Sequence, residues 1–208
     1  MTTSEAERLE ALWAGRFGDE YVERNLGAYD ERRGFWRSVM ASVKPRTVLE
    51  VGCNVGGNLQ WVAEKVPAPN ITGIDVNQRA LAQLRSRVPG VNGVWGSARD
   101  LPFEDQSFDL VFTMGVLIHQ PDESLPEVMD EMVRVAKRYV LCGEYFDNET
   151  KEVHYRGHSN ALFRRDYGGL FLSRFPGTLN LSFRGLLTQA DGFDDVTWWL
   201  FERAGQTG

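Results

Sequence analysis

Three short segments carry residue types that could work together chemically. The first is Glu50-Val-Gly52-Cys53-Asn54-Val-Gly56-Gly57-Asn58, where an apolar run hands over to a helical pattern. Glycines at such a turn let the backbone approach a ligand with no Cβ in the way. The helix start that follows presents free N–H groups. The second is Asp75, which falls in the run ITGIDV, 25 residues after Glu50. In doubly wound folds an acid at this point accepts hydrogen bonds from both ribose hydroxyls of a nucleoside ligand. The third is Gly96-Ser97-Ala98-Arg99-Asp100-Leu101-Pro102-Phe103, followed by Asp105-Gln-Ser-Phe-Asp109-Leu-Val-Phe. Each has a plainer explanation alone: a turn, a helix-cap acid, an ordinary serine. Together they occur in order at three successive strand ends, and the carboxyl ends of strands form the ligand edge of such a sheet. The dinucleotide fingerprint G-x-G-x-x-G fails because position 54 is Asn, and no Tyr-x-x-x-Lys pair is present. Both absences count against a nicotinamide-dependent oxidoreductase.

The elements that must hold these segments alternate in type. Leu9, Leu12 and Trp13 share one helical face, and Phe35, Trp36, Val39, Met40 and Val43 repeat the pattern in a longer helix that Pro45 ends. Strands are expected at 47–51, 71–76, 91–95, 109–114 and 139–144. Between them come helical patterns at 58–65, after a cap at Asn77, and from Leu125 to Ala136. Ser124-Leu-Pro-Glu127 has capping-box spacing. This alternation predicts a parallel sheet with helices on both faces. Two strand-like runs, 180–187 and 196–203, are joined by a polar stretch and read as an antiparallel pair finishing the sheet. The polar, aromatic and arginine-rich stretch between Phe146 and Pro176 is too long for an idle loop. It reads as an insertion that helps build a pocket.

Composition narrows the function classes. The 208 residues contain 23 Lys+Arg and 29 Asp+Glu, a formal charge of −6, which argues against blanket neutralisation of nucleic-acid phosphates. No run approaches the roughly 18 apolar residues of a membrane span. The N-terminus MTTSEAERLEALW has acids where a signal peptide needs basic residues. Cys53 and Cys142 lack metal-ligand spacing, and His154 and His158 lack a third ligand, so no metal is expected. The expectation is one domain over 1–208, in a reducing cytoplasm. It divides into a helical preface (1–44), a ligand-binding core (45–145) and a substrate-side insertion with a C-terminal β-hairpin (146–208).

The first segment resembles motif I of the class I S-adenosylmethionine-dependent methyltransferases, and the third resembles the segment in which they pass the adenine. That resemblance implies an α/β Rossmann-like fold. Its sheet has seven mostly parallel strands with an antiparallel last strand, helices cover both faces, and the N-terminal helices form a lid. The flanks resemble the pseudaminic acid biosynthesis-associated methylases more narrowly. They are Trp13-Ala-Gly-Arg-Phe17-Gly-Asp-Glu-Tyr21-Val-Glu-Arg24-Asn25, Gly115-Val-Leu-Ile-His119-Gln, Cys142-Gly-Glu144-Tyr145-Phe, Tyr155-Arg156-Gly, Leu162-Phe-Arg164-Arg165-Asp166-Tyr167 and Asp194-Asp-Val-Thr-Trp198-Trp199-Leu.

The implied activity is methyl transfer from S-adenosylmethionine to oxygen or nitrogen of a small polar acceptor, leaving S-adenosylhomocysteine. The acceptor is a sugar, a nucleoside or a glycosylated precursor, and the partners include no nucleic acid or membrane. The chain would work as a monomer or homodimer. A non-catalytic cofactor-binding scaffold is the alternative. Gly52, Cys53, Asn54, Gly56 and Asn58 would surround the methionine part, with Glu50 bracing the loop or reaching the cofactor amine through water. Asp75 would take the ribose; Val76, Ser97, Ala98 and Met114 would surround the adenine. Many relatives carry an acid where Ser97 stands, so the Ala98 N–H and a hydroxyl would serve instead. Tyr21, Arg24 and Asn25 belong to the lid, with Arg24 facing the methionine carboxylate. His119, Glu144 and Tyr145 are the candidate catalytic groups, and His119 is either a base or a prop. Tyr155, Arg156, Arg164 and Asp166 complete the acceptor side with His119 and Tyr145, and the arginines suggest an anionic acceptor.

Overall fold

The structure, a computed structural model, describes residues 4–27 and 29–205. The most apolar strand, β1 (Val48–Val51), lies inside the sheet because it must be covered on both faces. It pairs in parallel with β2 (Ile71–Asp75) and β4 (Phe108–Met114). Beyond β2 lies β3 (Asn92–Trp95), and beyond β4 lies β5 (Ala136–Glu144), both parallel. β9 (Val196–Arg203) runs antiparallel to β5 and pairs with the edge strand β8 (Leu179–Leu187). The order is β3-β2-β1-β4-β5-β9-β8. This is the expected seven-stranded, mostly parallel sheet, with the last strand of the chain antiparallel.

Strand alternation divides the core into two layers. Leu49 and Val51 pack with Val128, Met129, Met132 and Val133 of α6 (Leu125–Val135). Val48, on the other face, packs with Trp36, Val39, Met40 and Val43 of α3 (Arg32–Val43), and with Leu59 of α4 (Leu59–Val62) and Leu81 of α5 (Gln78–Arg87). Glu50 faces this second, apolar layer.

The preface folds over the carboxyl ends of the strands. α1 (Glu5–Ala14) carries a Ser4–Glu7 capping box, and α2 (Arg16–Arg24) follows after a break at Gly15. Asn77, just past β2, pins the pair: its Nδ2 donates to the Trp13 carbonyl at 3.2 Å and to Asp19 at 3.0 Å, while its Oδ1 accepts from Ala80 N and caps α5. The Ala6 N–H donates to Glu123, ahead of α6, at 2.6 Å.

Two local expectations are corrected. Ser124 does not form a capping box. It stands at φ −105°, ψ −20°, a helical rather than extended cap, and its hydroxyl turns back to Gln120 at 3.0 Å. β5 begins at Ala136, with no loop after α6, because Arg203 of β9 donates to the carbonyls of Val133 and Ala136 and closes the helix end. The insertion contains a two-stranded ribbon, β6 (Lys151–Glu152) with β7 (Phe163–Arg164), and a helix α7 (Tyr167–Arg174) that the sequence reading lacked. Among the described residues no helix is long and apolar enough to cross a membrane.

Gly18 lets α1 and α2 close on β2, since a Cβ there would lie 1.7 Å from the Trp13 carbonyl oxygen and 2.8 Å from Asn77 Nδ2. Gly18→Ala is expected to cost about 1–3 kcal/mol through forced backbone shifts, read as a lowered urea midpoint. An unchanged midpoint would mean that the two helices are not held this way.

Candidate functional site

One cavity lies between the strand ends and the α1–α2 cover. Its floor begins at β1. Glu50 is 1% exposed, its Oε1 accepts from Asn58 Nδ2 at 2.7 Å, and its Oε2 has no partner. Burial pushes its carboxyl up to about 8, against the pull of Asn58 and Arg32. Asn58 Oδ1 in turn accepts from Trp36 Nε1 and from Arg32 Nη1. Gly52 has φ +72°, and a Cβ there would meet Val116 at 2.5 Å, so the turn and the loop after β4 close on each other only through glycine.

At the end of β2, Asp75 accepts the N–H of Asn54 on one oxygen and that of Asn77 on the other, both at 2.8 Å. Its carboxyl is pushed up by burial. Each oxygen keeps a lone pair for a further donor. Val76, Ser97 and Ala98 continue the wall, and the Ser97 hydroxyl donates to Glu10 of α1 at 2.6 Å.

The opposite wall is aromatic. Trp13 stacks near His119 with centroids 4.5 Å apart, and its buried Nε1 has no partner. His119 hydrogen-bonds through Nδ1 to the Ala161 carbonyl at 2.6 Å, so Nδ1 carries the proton and Nε2 is an acceptor. Burial pushes its imidazole down to about 4, so it is neutral near pH 7. Tyr145 and Tyr155 line the same wall, and Tyr21 is pushed up to about 12 by burial and stays protonated.

The cavity brings together Tyr21, Asn25, Glu50, Gly52, Cys53, Asn54, Asn58, Asp75, Val76, Ser97, Ala98, Met114, His119, Tyr145 and Tyr155 from the sequence reading. The other expected residues are corrected. Arg24 is exposed and rests over the Tyr21 ring, off the cavity. Arg32 reaches in instead, held between the Tyr29 and Phe193 rings with its Nε on the Gly192 carbonyl, and Arg99 lines the cavity as well. Gly56 packs toward Leu84 instead of lining the cavity.

Glu144 is fully buried beneath the site. It accepts from Thr113 Oγ1 and from the Val116 and Ile118 N–H groups, so it braces the loop that carries His119 and touches no ligand space. Arg156 and Arg164 are exposed outside the cavity, and Asp166 is spent capping α7 through Gly169 N. Arg32, Trp13, Glu10 and Tyr29 were missed as site residues. Only the fold separates Arg32 from Arg33, which points outward to pair with Glu64 at 2.8 Å. No cluster of three or more metal-ligating side chains occurs among the described residues.

These features place a candidate site at the strand ends of a Rossmann-like methyltransferase fold. Residues 48–138 match the family model described as a methyltransferase domain. A phthiotriol/phenolphthiotriol dimycocerosates methyltransferase 1 of Mycobacterium ulcerans (strain Agy99) is 36% identical over 94 residues, 44% of this chain and 34% of that protein. The chain spans less than half the length of the curated relatives it matches. Among solved structures, magnesium protoporphyrin IX methyltransferase from Synechocystis PCC 6803, with bound SAH, has a TM-score of 0.70 at 14% identity, covering 95% of this chain and 99% of that one. The 1,6-didemethyltoxoflavin-N1-methyltransferase of Burkholderia thailandensis, with bound 1,6-didemethyltoxoflavin and S-adenosylhomocysteine, has a TM-score of 0.73 at 13% identity, covering 98% and 92%. They share its fold.

The buried acids make stability depend on pH. Glu50, at about 8, and Glu144, at about 7, hold protons more tightly in the fold than unfolded carboxyls near 4.5 do. Their contribution is full below pH 4.5 and falls as pH rises through those values. His119, at about 4 against an ordinary 6.5, contributes above 6.5 and loses that contribution as pH falls. Between pH 6.5 and 8 only the carboxyls act, and the urea midpoint is expected to fall. Glu50→Gln, which cannot ionise, should reduce that fall. An equal slope in both proteins would show that Glu50 is not protonated when buried.

Proposed function

We propose that the chain is an S-adenosylmethionine-dependent methyltransferase acting on oxygen or nitrogen of a small polar acceptor. The observation that carries this is Glu50, a buried carboxyl with one oxygen unpaired in a cavity that also takes in Asp75. A ligand with an α-ammonium would supply the partner that Glu50 Oε2 lacks, and its ribose would use the lone pairs that Asp75 keeps. Arg32 would meet the methionine carboxylate, in place of Arg24. A nicotinamide dinucleotide has no ammonium for Glu50. In this reading 1–44 is the lid, 45–145 the cofactor core and 146–208 the acceptor-side wall.

When bound, S-adenosylmethionine supplies a methyl group that leaves its sulfur by in-line displacement. The protein's part is to hold the acceptor in near-attack geometry. Trp13 Nε1 and the tyrosine hydroxyls donate to it, and His119 Nε2 accepts its proton as the new bond forms. A neutral imidazole held near 4 is a weak base, which suits an acceptor whose proton becomes acidic only as the methyl arrives. Arg156 and Arg164 stand outside, so a neutral polar acceptor fits better than an anionic one. The flanking resemblance to pseudaminic acid-associated methylases favours a sugar.

Calorimetry with S-adenosylhomocysteine tests the reading. Binding is expected, and Asp75→Ala should weaken it roughly tenfold to a hundredfold. At pH 7 the protonated Glu50 should give up its proton to the buffer as the ligand's ammonium binds beside it, producing a heat that depends on buffer ionisation and vanishes in Glu50→Gln. Binding of NADH and not of S-adenosylhomocysteine would overturn the proposal.

A further inference from the structure

The wall at the end of β3 lacks an acid of its own, since position 97 is serine. The Ser97 hydroxyl is also fully engaged. It donates to Glu10 Oε2 at 2.6 Å and accepts from the Arg99 N–H at 3.1 Å. Glu10 has crossed from α1 to this wall, where Arg99 holds its Oε2 at 3.2 Å and also reaches Glu127 at 3.7 Å. Its Oε1 makes no hydrogen bond among the described residues, and the side chain lines the cavity beside Ala98. The Ala98 N–H makes none either. Ala6 and Leu9, of the same helix, add buried apolar surface to this end.

We infer that Glu10 is the residue that reads the adenine of the donor, an acid supplied by the covering helix instead of by the strand end. This rests on the cavity being the S-adenosylmethionine site. Adenine presents an amine donor next to a ring-nitrogen acceptor, and the wall presents the complement, a carboxylate oxygen beside a backbone N–H. Hypoxanthine reverses both groups. Its oxygen would face a carboxylate and its ring N–H would face the Ala98 N–H. Because Glu10 lies on α1, the same contact draws the cover over an adenosyl ligand.

The experiment compares S-adenosylhomocysteine with S-inosylhomocysteine by calorimetry in the wild-type protein, Glu10→Gln and Arg99→Ala. The wild type should prefer the adenosyl ligand by at least about tenfold, the value of one charge-assisted hydrogen bond. Glu10→Gln, whose amide can donate to the inosyl oxygen, should shrink that preference by roughly tenfold. Arg99→Ala removes the ion pair but keeps the acceptor, and should preserve the preference. An unchanged ratio in Glu10→Gln, or an equal loss in Arg99→Ala, would overturn the inference while leaving the cavity's assignment intact. A wild type that binds neither ligand would sink the assignment and the inference together.

Discussion

A carboxyl group sits at the end of an interior strand, out of water, with one oxygen bonded and the other bare. Burying Glu50 this way costs free energy that no neighbouring cation offsets at contact distance. The surrounding structure is arranged to hold it there. Asn58 fixes one oxygen, Trp36 and Arg32 fix Asn58, and Tyr29 and Phe193 hold Arg32. The chain from α3 through the helix start to β1 is thus one hydrogen-bonded and stacked unit. An unpaired buried oxygen of this kind is rare in a folded protein, and here it lies on the cavity wall.

The second strand end does a different job. Asp75 is satisfied by two backbone N–H groups, and Asn77 beside it holds the covering helices and caps α5. Asp75 and the covering helices are therefore fastened at the same strand end. On the far side, Glu144 accepts from Thr113 of β4 and from two N–H groups of the loop that follows, and so sets His119 against Trp13. An acid one residue short of the cavity thereby becomes a brace, and the imidazole it positions lines the cavity.

The insertion gives a third example of burial sorting like from like. Arg165 is 2% exposed, bonds the Gln120 carbonyl and Asp122, and lies over Phe163. It ties the ribbon to the loop behind His119. Its neighbour Arg164, one position along a strand, points the other way into solvent. Adjacent arginines of identical type thus have unrelated roles, and only Tyr155 and Leu162 of this segment reach the cavity.

The sequence by itself determined the alternating fold, its seven strands and the meeting of the glycine turn, Asp75 and the 97–98 segment at one edge. These follow from local patterns: apolar periodicity marks the elements, glycine marks the turn, and parallel strands deliver their carboxyl ends to a common rim. Tertiary structure alone decided which polar side chains face that rim. Arg32 points in and Arg33 out because one helical step rotates the side chain through about 100°. Glu144, the last residue of β5, is a brace beneath the cavity, whereas Tyr145, just past the strand end, lines it. Glu10 meets Ser97 across 87 residues of sequence, a contact that no local spacing records, since it exists only once α1 has folded back over the sheet.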